Sequence, residues 1–104
     1  ISGGYNVYPK EIESVIDEMS GVLESAVIGV PHPDFGEAVV AVVVMRDGAT
    51  LSETALIDTL KSRIANFKVP KQCRVVNELP RNAMGKVQKN LLREMAGKLG
   101  SDTN

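Results

Sequence analysis

The stretch at residues 37–45, EAVVAVVVM, is apolar at every position after its first. A strand with one face in water alternates polar and apolar residues, so an unbroken apolar run indicates a strand that is covered on both faces. A second β-rich run, SAVIGVP at 25–31, precedes it, and the connection PHPDFG at 31–36 joins the two. We therefore expect an antiparallel pair of strands at the centre of a sheet.

Helical patterns lie on both sides of this strand pair. Before it, Pro9 suits the first position of a helix, and Glu11 follows in the first turn, where the helix dipole favours anions. The apolar positions of this helix, which we expect to end at Gly21, are Ile12, Val15, Ile16 and Met19. After the strand pair, Thr50 and Glu53 have the spacing of a capping box. The apolar face of the second helix consists of Leu56, Ile57, Leu60 and Ile64.

The remaining elements complete a small domain. The segment CRVVNEL at 73–79 predicts a third strand, and GYNVY at 4–8 predicts a short strand in an N-terminal hairpin. The last helix has an apolar face formed by Leu91, Leu92, Met95 and Leu99. The fold class is therefore α+β, with helices flanking a small mixed three-stranded sheet and a short N-terminal β-hairpin. We expect the domain to cover residues 1–99 and the polar residues 100–104 to form a flexible tail.

Composition and charge limit the class of protein. The chain has 104 residues, 43% hydrophobic and 24% charged, which is the composition of one ordinary globular domain. Its 12 basic and 13 acidic residues give a net charge of −1, and it has only 2 Tyr and 2 Phe. Nucleic-acid-binding modules normally carry a basic excess and stacking aromatic residues. We therefore expect no nucleic-acid partner.

Cellular location is indicated by the cysteine count and the hydropathy. No apolar run is long enough to cross a bilayer and no signal-peptide pattern is present, so we expect a soluble protein without a membrane partner. The single cysteine, Cys73, excludes an internal disulfide and favours a reducing, cytoplasmic location. It lies in the strand-like run QCRVV, which predicts a buried, unreactive thiol. The chain begins ISGG without a methionine, which suggests a piece of a longer protein.

Few residues fit a known catalytic or metal-binding pattern. His32 is the only histidine and has no second histidine or cysteine placed to share a metal, so no metal ligand is assigned. For the same reason no Ser/His/Asp or Cys/His set can be assembled. The pair Gly85-Lys86 is followed by Val87, and the P-loop pattern requires Ser or Thr there.

The segment ELPRNAMGKVQK at 78–89 contains the strongest candidate for chemistry. Gly85 allows a positive φ, and Lys86 then stands at the tip of a flexible element. A lysine ammonium is a compact point charge that suits a carboxylate or phosphate oxygen. The same spacing fits a solvated loop lysine, which is the commoner case. Lys89 and Arg93 add charge beside it, either as a phosphate-binding patch or, more commonly, as the solvent face of a helix.

Four stretches together carry a family resemblance: SGGYNVYPKEIE, AVIGVPHPDFGEAVVAVVV, FKVPK and LPRNAMGKVQKNLLR. They resemble, in the same order, the C-terminal domain of AMP-forming acyl-CoA synthetases. This adenylate-forming superfamily also includes luciferases and peptide-synthetase adenylation domains. The resemblance covers residues 1–93. It implies a mobile lid whose partner is a large N-terminal domain of the same enzyme, with ATP, CoA and Mg²⁺ bound mainly by that domain.

The resemblance implies roles for individual residues. Lys86 matches the lysine that bridges the substrate carboxylate and the ATP oxygens while acyl-AMP forms, where it offsets repulsion between two anions. Gly3, Gly4 and Tyr5 match the hairpin that lines the pantetheine tunnel after the lid has rotated, when the acyl group passes to CoA. The family's hinge residue would lie upstream of Ile1, and the isolated chain is expected to be inactive.

Two narrower implications follow from the loop. PRNAMGK resembles the malonyl-CoA synthetase branch, so malonate is the candidate acid. The lysine of P-x-x-x-x-G-K, here Lys86, also matches a target of GNAT-type protein acetyltransferases and sirtuin-type deacetylases. Acetylation would remove the charge that the adenylation step needs. The alternative function is a stand-alone interaction or regulatory module without a ligase role.

Overall fold

The computed structural model describes residues 8–32 and 36–102. Three helices and three strands make up the regular structure of this part of the chain. In order these are α1 (Pro9–Asp17), β1 (Val22–His32), β2 (Gly36–Met45), α2 (Glu53–Arg63), β3 (Gln72–Val76) and α3 (Lys89–Asp102), with a short 3-10 helix at Asn66–Lys68 between α2 and β3.

The three strands form one mixed sheet in the order β1-β2-β3. β1 pairs with β2 in antiparallel orientation, and β2 pairs with β3 in parallel orientation. The register aligns Val27, Ala41 and Cys73 side by side across the sheet. This arrangement confirms the predicted α+β class, the mixed three-stranded sheet and the antiparallel pair, which forms a hairpin in the N-terminal half of the chain.

β2 is buried on both faces, as its unbroken apolar run predicts. On one face, Val39, Ala41 and Val43 belong to a core cluster with Ile12, Ile16, Leu56 and Leu60 from α1 and α2. On the opposite face, Val40, Val42 and Val44 belong to a second cluster with Leu79 and Leu92. Because successive strand residues point to opposite faces, one strand serves both cores. The domain therefore has three layers, with α1 and α2 on one side of the sheet and α3 on the other.

The predicted capping box is wrong. α2 begins at Glu53, and its N-cap is Ser52, whose Oγ accepts a hydrogen bond from the backbone N–H of Ala55 at 3.0 Å. Thr50 lies two residues too early for this role. The Glu53 carboxylate instead accepts a hydrogen bond from the backbone N–H of Val75 at 3.1 Å, which ties the start of α2 to the edge strand β3.

Element boundaries differ from the predicted ones at several points. β1 and β2 extend further into the proline-containing connection than expected, to His32 and from Gly36. β3 stops at Val76, and Leu79 is buried beyond its end because it packs under α3. α1 ends at Asp17, and Gly21, with φ +87°, lies in the turn that follows it. α3 continues to Asp102, so residues 100–102 of the predicted tail are helical, and the flexibility of that tail stays a prediction.

The apolar face predicted for the last helix is only partly buried. Leu92 is 2% exposed and belongs to the second core cluster, whereas Leu91 is 42% exposed and Met95 is 50% exposed. Leu99 belongs to the residues whose side chains the structure does not describe. No helix in the described ranges is long and apolar enough to cross a membrane.

Cys73 is a buried free cysteine, as predicted from its strand-like surroundings. Its side chain belongs to the cluster covered by α1 and α2. Burial, with a smaller contribution from the negative charge of Glu53, raises the pKa of this thiol from 9.0 to about 11. The thiol is therefore neutral at ordinary pH and is not a nucleophile of the domain.

Candidate functional site

The segment between β3 and α3 folds back on itself as a tight hairpin. Arg81 and Val87 face each other in an antiparallel bridge, and the N–H of Gln88 donates to the carbonyl of Pro80 at 2.8 Å. Leu79, 4% exposed, anchors the start of the hairpin in the core, and α3 begins at Lys89, directly after it. The loop that the sequence singles out is therefore an ordered structure with both ends fixed to the sheet layers.

Asn82 organises the tip of this hairpin. Its side-chain Oδ1 accepts hydrogen bonds from the backbone N–H groups of Met84, at 2.9 Å, and Lys86, at 3.0 Å. Its own N–H donates to the carbonyl of Lys86 at 2.9 Å, and its carbonyl accepts from the N–H of Gly85 at 3.0 Å. Asparagine is favoured at such positions because its short amide substitutes for backbone partners. Both backbone polar groups of Lys86 are thus bonded to one residue.

Gly85 provides the backbone conformation that the tip requires. Its φ is +84°, in the left-handed region that favours glycine, and a Cβ at this position would meet no atom within 4 Å. The Gly85 carbonyl accepts a hydrogen bond from Arg81 Nη1 at 2.7 Å. The other terminal nitrogen of the same guanidinium, Nη2, forms an ion pair with Glu24 of β1. Arg81 therefore connects the tip of the hairpin to the edge of the sheet.

Lys86 presents an uncommitted charge at this tip. Its backbone is held as described, and the residue is exposed. Within residues 8–32 and 36–102, its ammonium has neither a hydrogen-bond partner nor a salt bridge. The neighbouring Met84 is 87% exposed, so the outer surface of the hairpin is open to solvent. A rigid backbone that displays a solvated cation is suited to meeting an anion held by another surface.

Lys89 differs from Lys86 because its charge already has a partner. Its Nζ lies 2.8 Å from Glu13 Oε2, and the Glu13 side chain is only 13% exposed. The same carboxylate oxygen accepts the backbone N–H of Val27 at 2.8 Å, so Glu13 joins α1, β1 and the first residue of α3. Arg93 donates to Asn90 Oδ1 at 2.8 Å on the exposed surface of α3. A phosphate would have to compete with these contacts, and the phosphate role of Lys89 and Arg93 stays a prediction.

Other predicted site residues fall outside what can be described. Gly3, Gly4 and Tyr5, predicted to lie on the CoA side, are outside the described residues, as is the N-terminal part of the predicted strand at 4–8. Among residues 8–32 and 36–102, no group of three or more His, Cys, Asp or Glu side chains is placed to hold a metal ion.

Three residues that hold the hairpin were not identified from the sequence: Glu24, Arg81 and Asn82. A local signal existed for Asn82, since an asparagine side chain commonly hydrogen-bonds the backbone two residues on, here the N–H of Met84. No local signal existed for the Glu24–Arg81 pair, because its members are 57 positions apart in the chain.

Comparison with known proteins identifies relatives that are similar in sequence over most of this chain. Over 94 residues the chain is 54% identical to the 3-[(3aS,4S,7aS)-7a-methyl-1,5-dioxo-octahydro-1H-inden-4-yl]propanoyl:CoA ligase of Rhodococcus jostii (strain RHA1), covering 90% of this chain and 18% of the ligase. It is 44% identical over 98 residues to the indoleacetate–CoA ligase of Aromatoleum aromaticum (strain DSM 19018 / LMG 30748 / EbN1), covering 94% of this chain and 19% of that ligase. The chain thus spans about a fifth of the length of these relatives.

Solved structures are also similar to this chain over most of its length. The crystal structure of ATP-bound MatB from Rhodopseudomonas palustris superposes with a TM-score of 0.91 at 60% sequence identity, over 95% of this chain and 20% of that one. The family model for the AMP-binding enzyme C-terminal domain matches residues 11–86, from the first turn of α1 to the lysine at the hairpin tip. With its mixed three-stranded sheet, its helices on both faces and this match over most of its length, the chain belongs to the AMP-binding enzyme C-terminal domain family.

Proposed function

We propose that this chain is the mobile C-terminal domain of an acid–CoA ligase that forms an acyl-AMP. In the first half-reaction, a substrate carboxylate oxygen attacks the α-phosphorus of ATP, and pyrophosphate leaves. In the second, the thiol sulfur of CoA attacks the acyl carbon, AMP leaves, and the thiol proton passes to solvent. Family membership and relatives that are named CoA ligases support this reaction for the complete enzyme.

The observation that carries the proposal is the exposed ammonium of Lys86, which has no partner among the described residues, on a hydrogen-bonded hairpin. Attack of a carboxylate on a triphosphate brings two anions together, and a cation placed between them stabilises the transition state more than the separated reactants. Mg²⁺ would supply further positive charge at the phosphates. On the family resemblance, we assign the magnesium ligands to the rest of the enzyme.

The second half-reaction requires a different surface of the domain. On the family resemblance, we assign Gly3, Gly4 and Tyr5 to the CoA side, where the two glycines would leave room for the narrow pantetheine arm. The domain would rotate between the two steps, which withdraws Lys86 after pyrophosphate has left. Lys89 and Arg93 are the candidates for contacts to phosphate oxygens, with Lys89 exchanging its partner Glu13 for the ligand.

The test is Lys86→Ala in the complete ligase, with the two half-reactions assayed separately. Acyl-AMP formation is expected to fall by about 100- to 1,000-fold, the usual cost of removing one group that stabilises transition-state charge. Thioester formation from supplied acyl-AMP and CoA should be nearly unchanged. Lys61→Ala is the matched control, because Lys61 is an exposed lysine on α2, on the opposite side of the sheet from α3. Small, equal losses in both half-reactions would contradict the proposal and make Lys86 an ordinary loop lysine.

We propose malonate as the acid, on the resemblance of PRNAMGK to the malonyl-CoA synthetase branch. The acid would be bound by the part of the enzyme outside this chain, so the support from this domain is the sequence of the loop. Steady-state assays of the complete ligase with malonate, acetate and a long-chain fatty acid test this proposal. A higher kcat/KM for either monocarboxylate than for malonate would overturn it.

We also propose that Lys86 is a site of reversible acetylation by a GNAT-type acetyltransferase and a sirtuin-type deacetylase. The neutral amine would attack the carbonyl carbon of acetyl-CoA, and the C–S bond would break to give the acetyl amide and CoA, whose sulfur takes up the proton that the nitrogen loses. The exposure of Lys86 and its defined backbone support this role, and the product would lack the charge used in adenylation. Mass spectrometry after incubation with such an acetyltransferase should find one acetyl group on Lys86 and none on the paired Lys89. Unmodified Lys86 would contradict it.

A further inference from the structure

The peptide group between Gly85 and Lys86 is held from both sides. Its carbonyl accepts from Arg81 Nη1 at 2.7 Å, and its N–H donates to Asn82 Oδ1 at 3.0 Å. We propose that Arg81, itself anchored by Glu24, is a positioning residue that fixes the direction in which Lys86 leaves the hairpin. This inference rests on the proposed function of Lys86 in acyl-AMP formation.

Hydrogen bonds, and not packing, determine the orientation of this peptide. Gly85 has no neighbour within 4 Å of the position of a Cβ, and Lys86 is exposed, so the space around this peptide is open. Rotation of the Gly85–Lys86 peptide would redirect the Lys86 side chain. Because catalytic groups displaced by about 1 Å can lose about 100-fold in rate, the two bonds to this peptide have a direct effect on delivery of the ammonium.

Glu24 makes the guanidinium a rigid support. It lies on β1 and pairs with Arg81 Nη2, while Nη1 of the same planar group reaches the Gly85 carbonyl. A guanidinium can serve two acceptors in fixed directions at once, whereas an ammonium acts as a single point charge. The sheet edge therefore sets the position of the hairpin tip through one side chain.

The experiment uses Arg81→Gln in the complete ligase. Acyl-AMP formation is expected to fall by about 10- to 100-fold, with thioester formation from supplied acyl-AMP unchanged within about twofold. Hydrogen–deuterium exchange of the segment 81–88 should accelerate by about tenfold, because the hairpin loses a charge-assisted bond. Arg63→Gln is the matched control, since the Arg63 side chain is as exposed as that of Arg81 and pairs with Glu18, away from the hairpin. It should change neither measurement.

Two further variants separate positioning from a general structural role. In the charge-reversed pair Glu24→Arg with Arg81→Glu, the ion pair is restored but the glutamate cannot donate to the Gly85 carbonyl. Acyl-AMP formation should stay low, and full recovery would overturn the proposal. Combining Arg81→Gln with Lys86→Ala should be no worse than Lys86→Ala alone, because Arg81 acts through Lys86. Multiplied losses in the double variant would show an independent role for Arg81.

The failure of this inference is distinguishable from failure of the proposed function. If Lys86→Ala abolishes acyl-AMP formation but Arg81→Gln does not lower it, the positioning role alone is wrong. If Lys86→Ala leaves acyl-AMP formation intact, the proposed function is wrong and the positioning role falls with it. Equal losses in both half-reactions with a lowered melting temperature for Arg81→Gln would make Arg81 a structural residue only.

Discussion

The two faces of the sheet are covered to different depths. On the face under α1 and α2, the helices contribute Ile12, Ile16, Leu56 and Leu60, all with 0% exposure. On the opposite face, Leu92 is the buried apolar side chain of α3 within its described part. Among the side chains that the structure describes, the first face therefore carries more of the apolar burial than the second. The second face leads into the hairpin of Lys86, so the residues that stabilise the fold are separate from those that present the charge.

The largest expected effect tests this difference directly. Leu56→Ala should lower the free energy of unfolding by about 3 to 4 kcal/mol, because it leaves a cavity in a fully closed core. Leu92→Ala should cost about 2 kcal/mol, since α3 is flanked by half-exposed side chains and its site can relax. Urea denaturation measures both. Leu23→Ala, at a residue that is 52% exposed, is the control and should cost less than about 0.5 kcal/mol. Equal costs at Leu56 and Leu92 would remove the distinction between the faces.

The second effect compares the cost of adding a side chain at two glycines with positive φ, Gly21 in the turn after α1 and Gly85 in the hairpin. At Gly21, an added Cβ would lie 3.1 Å from Ala49 Cβ and 3.2 Å from Met45 Cε, whereas at Gly85 it would meet nothing. Gly21→Ala should therefore cost about 2 kcal/mol, from backbone strain and crowding together, and Gly85→Ala about 1 kcal/mol from strain alone. Thermal unfolding of the two variants checks the order. A larger cost at Gly85 would indicate that the hairpin is packed more tightly than its exposure suggests.

The third effect concerns the pH dependence of stability that arises from Cys73, which is buried under the first face. The folded pKa of Cys73, about 11, lies above its ordinary 9.0, so above pH 9 the unfolded state loses this proton before the folded state does. Stability linked to Cys73 is therefore complete below pH 9 and is lost as pH rises toward 11. Between pH 8 and pH 10 the loss should be about 1 kcal/mol. The measurement is the urea stability of the wild-type protein relative to Cys73→Ala at each pH, which cancels the titration of lysines. The same pH slope in both proteins would contradict the raised pKa.

The smallest effect concerns the contact that links the two faces around the edge of β1. Glu13→Gln keeps an acceptor for the Val27 N–H but removes the ion pair with Lys89, and it should cost about 0.5 to 1 kcal/mol. Glu18→Gln breaks an exposed pair with Arg63 and should be nearly neutral. Raising the salt concentration should not reduce the difference between the variants by much, because Glu13 is mostly shielded. Indistinguishable stabilities would mean that the Glu13 contact adds nothing.

The fold was largely predictable because its strongest signals are local. The unbroken apolar run of β2 predicts burial on both faces, and the spacing of Ile12 and Ile16 predicts the buried face of α1. The cap of α2 was missed because Ser52, closer to the helix, competes successfully with Thr50, and because Glu53 bonds to a strand 22 residues away. Propensity patterns within one segment do not contain such long-range partners.

The candidate site was predictable only in part. Gly85 and Lys86 could be singled out from residue type, and the family resemblance supplied a role for the lysine. The supporting contacts are different in kind. Asn82 acts within its own turn and has a local signature, whereas Arg81 depends on Glu24, which becomes its neighbour only after the sheet has formed. Spacing also could not predict which lysine charge is already paired: Lys89 pairs with Glu13, whereas the Lys86 ammonium has no partner within residues 8–32 and 36–102.

The two glutamates that bond to the sheet, Glu13 and Glu53, affect whether copies of this domain can pair through their sheet edges. β1 and β3 are the outer strands, and each donates a backbone N–H to a helix carboxylate, Val27 to Glu13 and Val75 to Glu53. Outer strands with vacant N–H groups are templates for pairing with a foreign strand, which leads to aggregation. Here an invading strand would have to displace a bonded carboxylate and desolvate its negative charge. We propose that the domain rotates away from the rest of the enzyme in each turnover. During that rotation these carboxylates would prevent a foreign strand from pairing with the sheet edges.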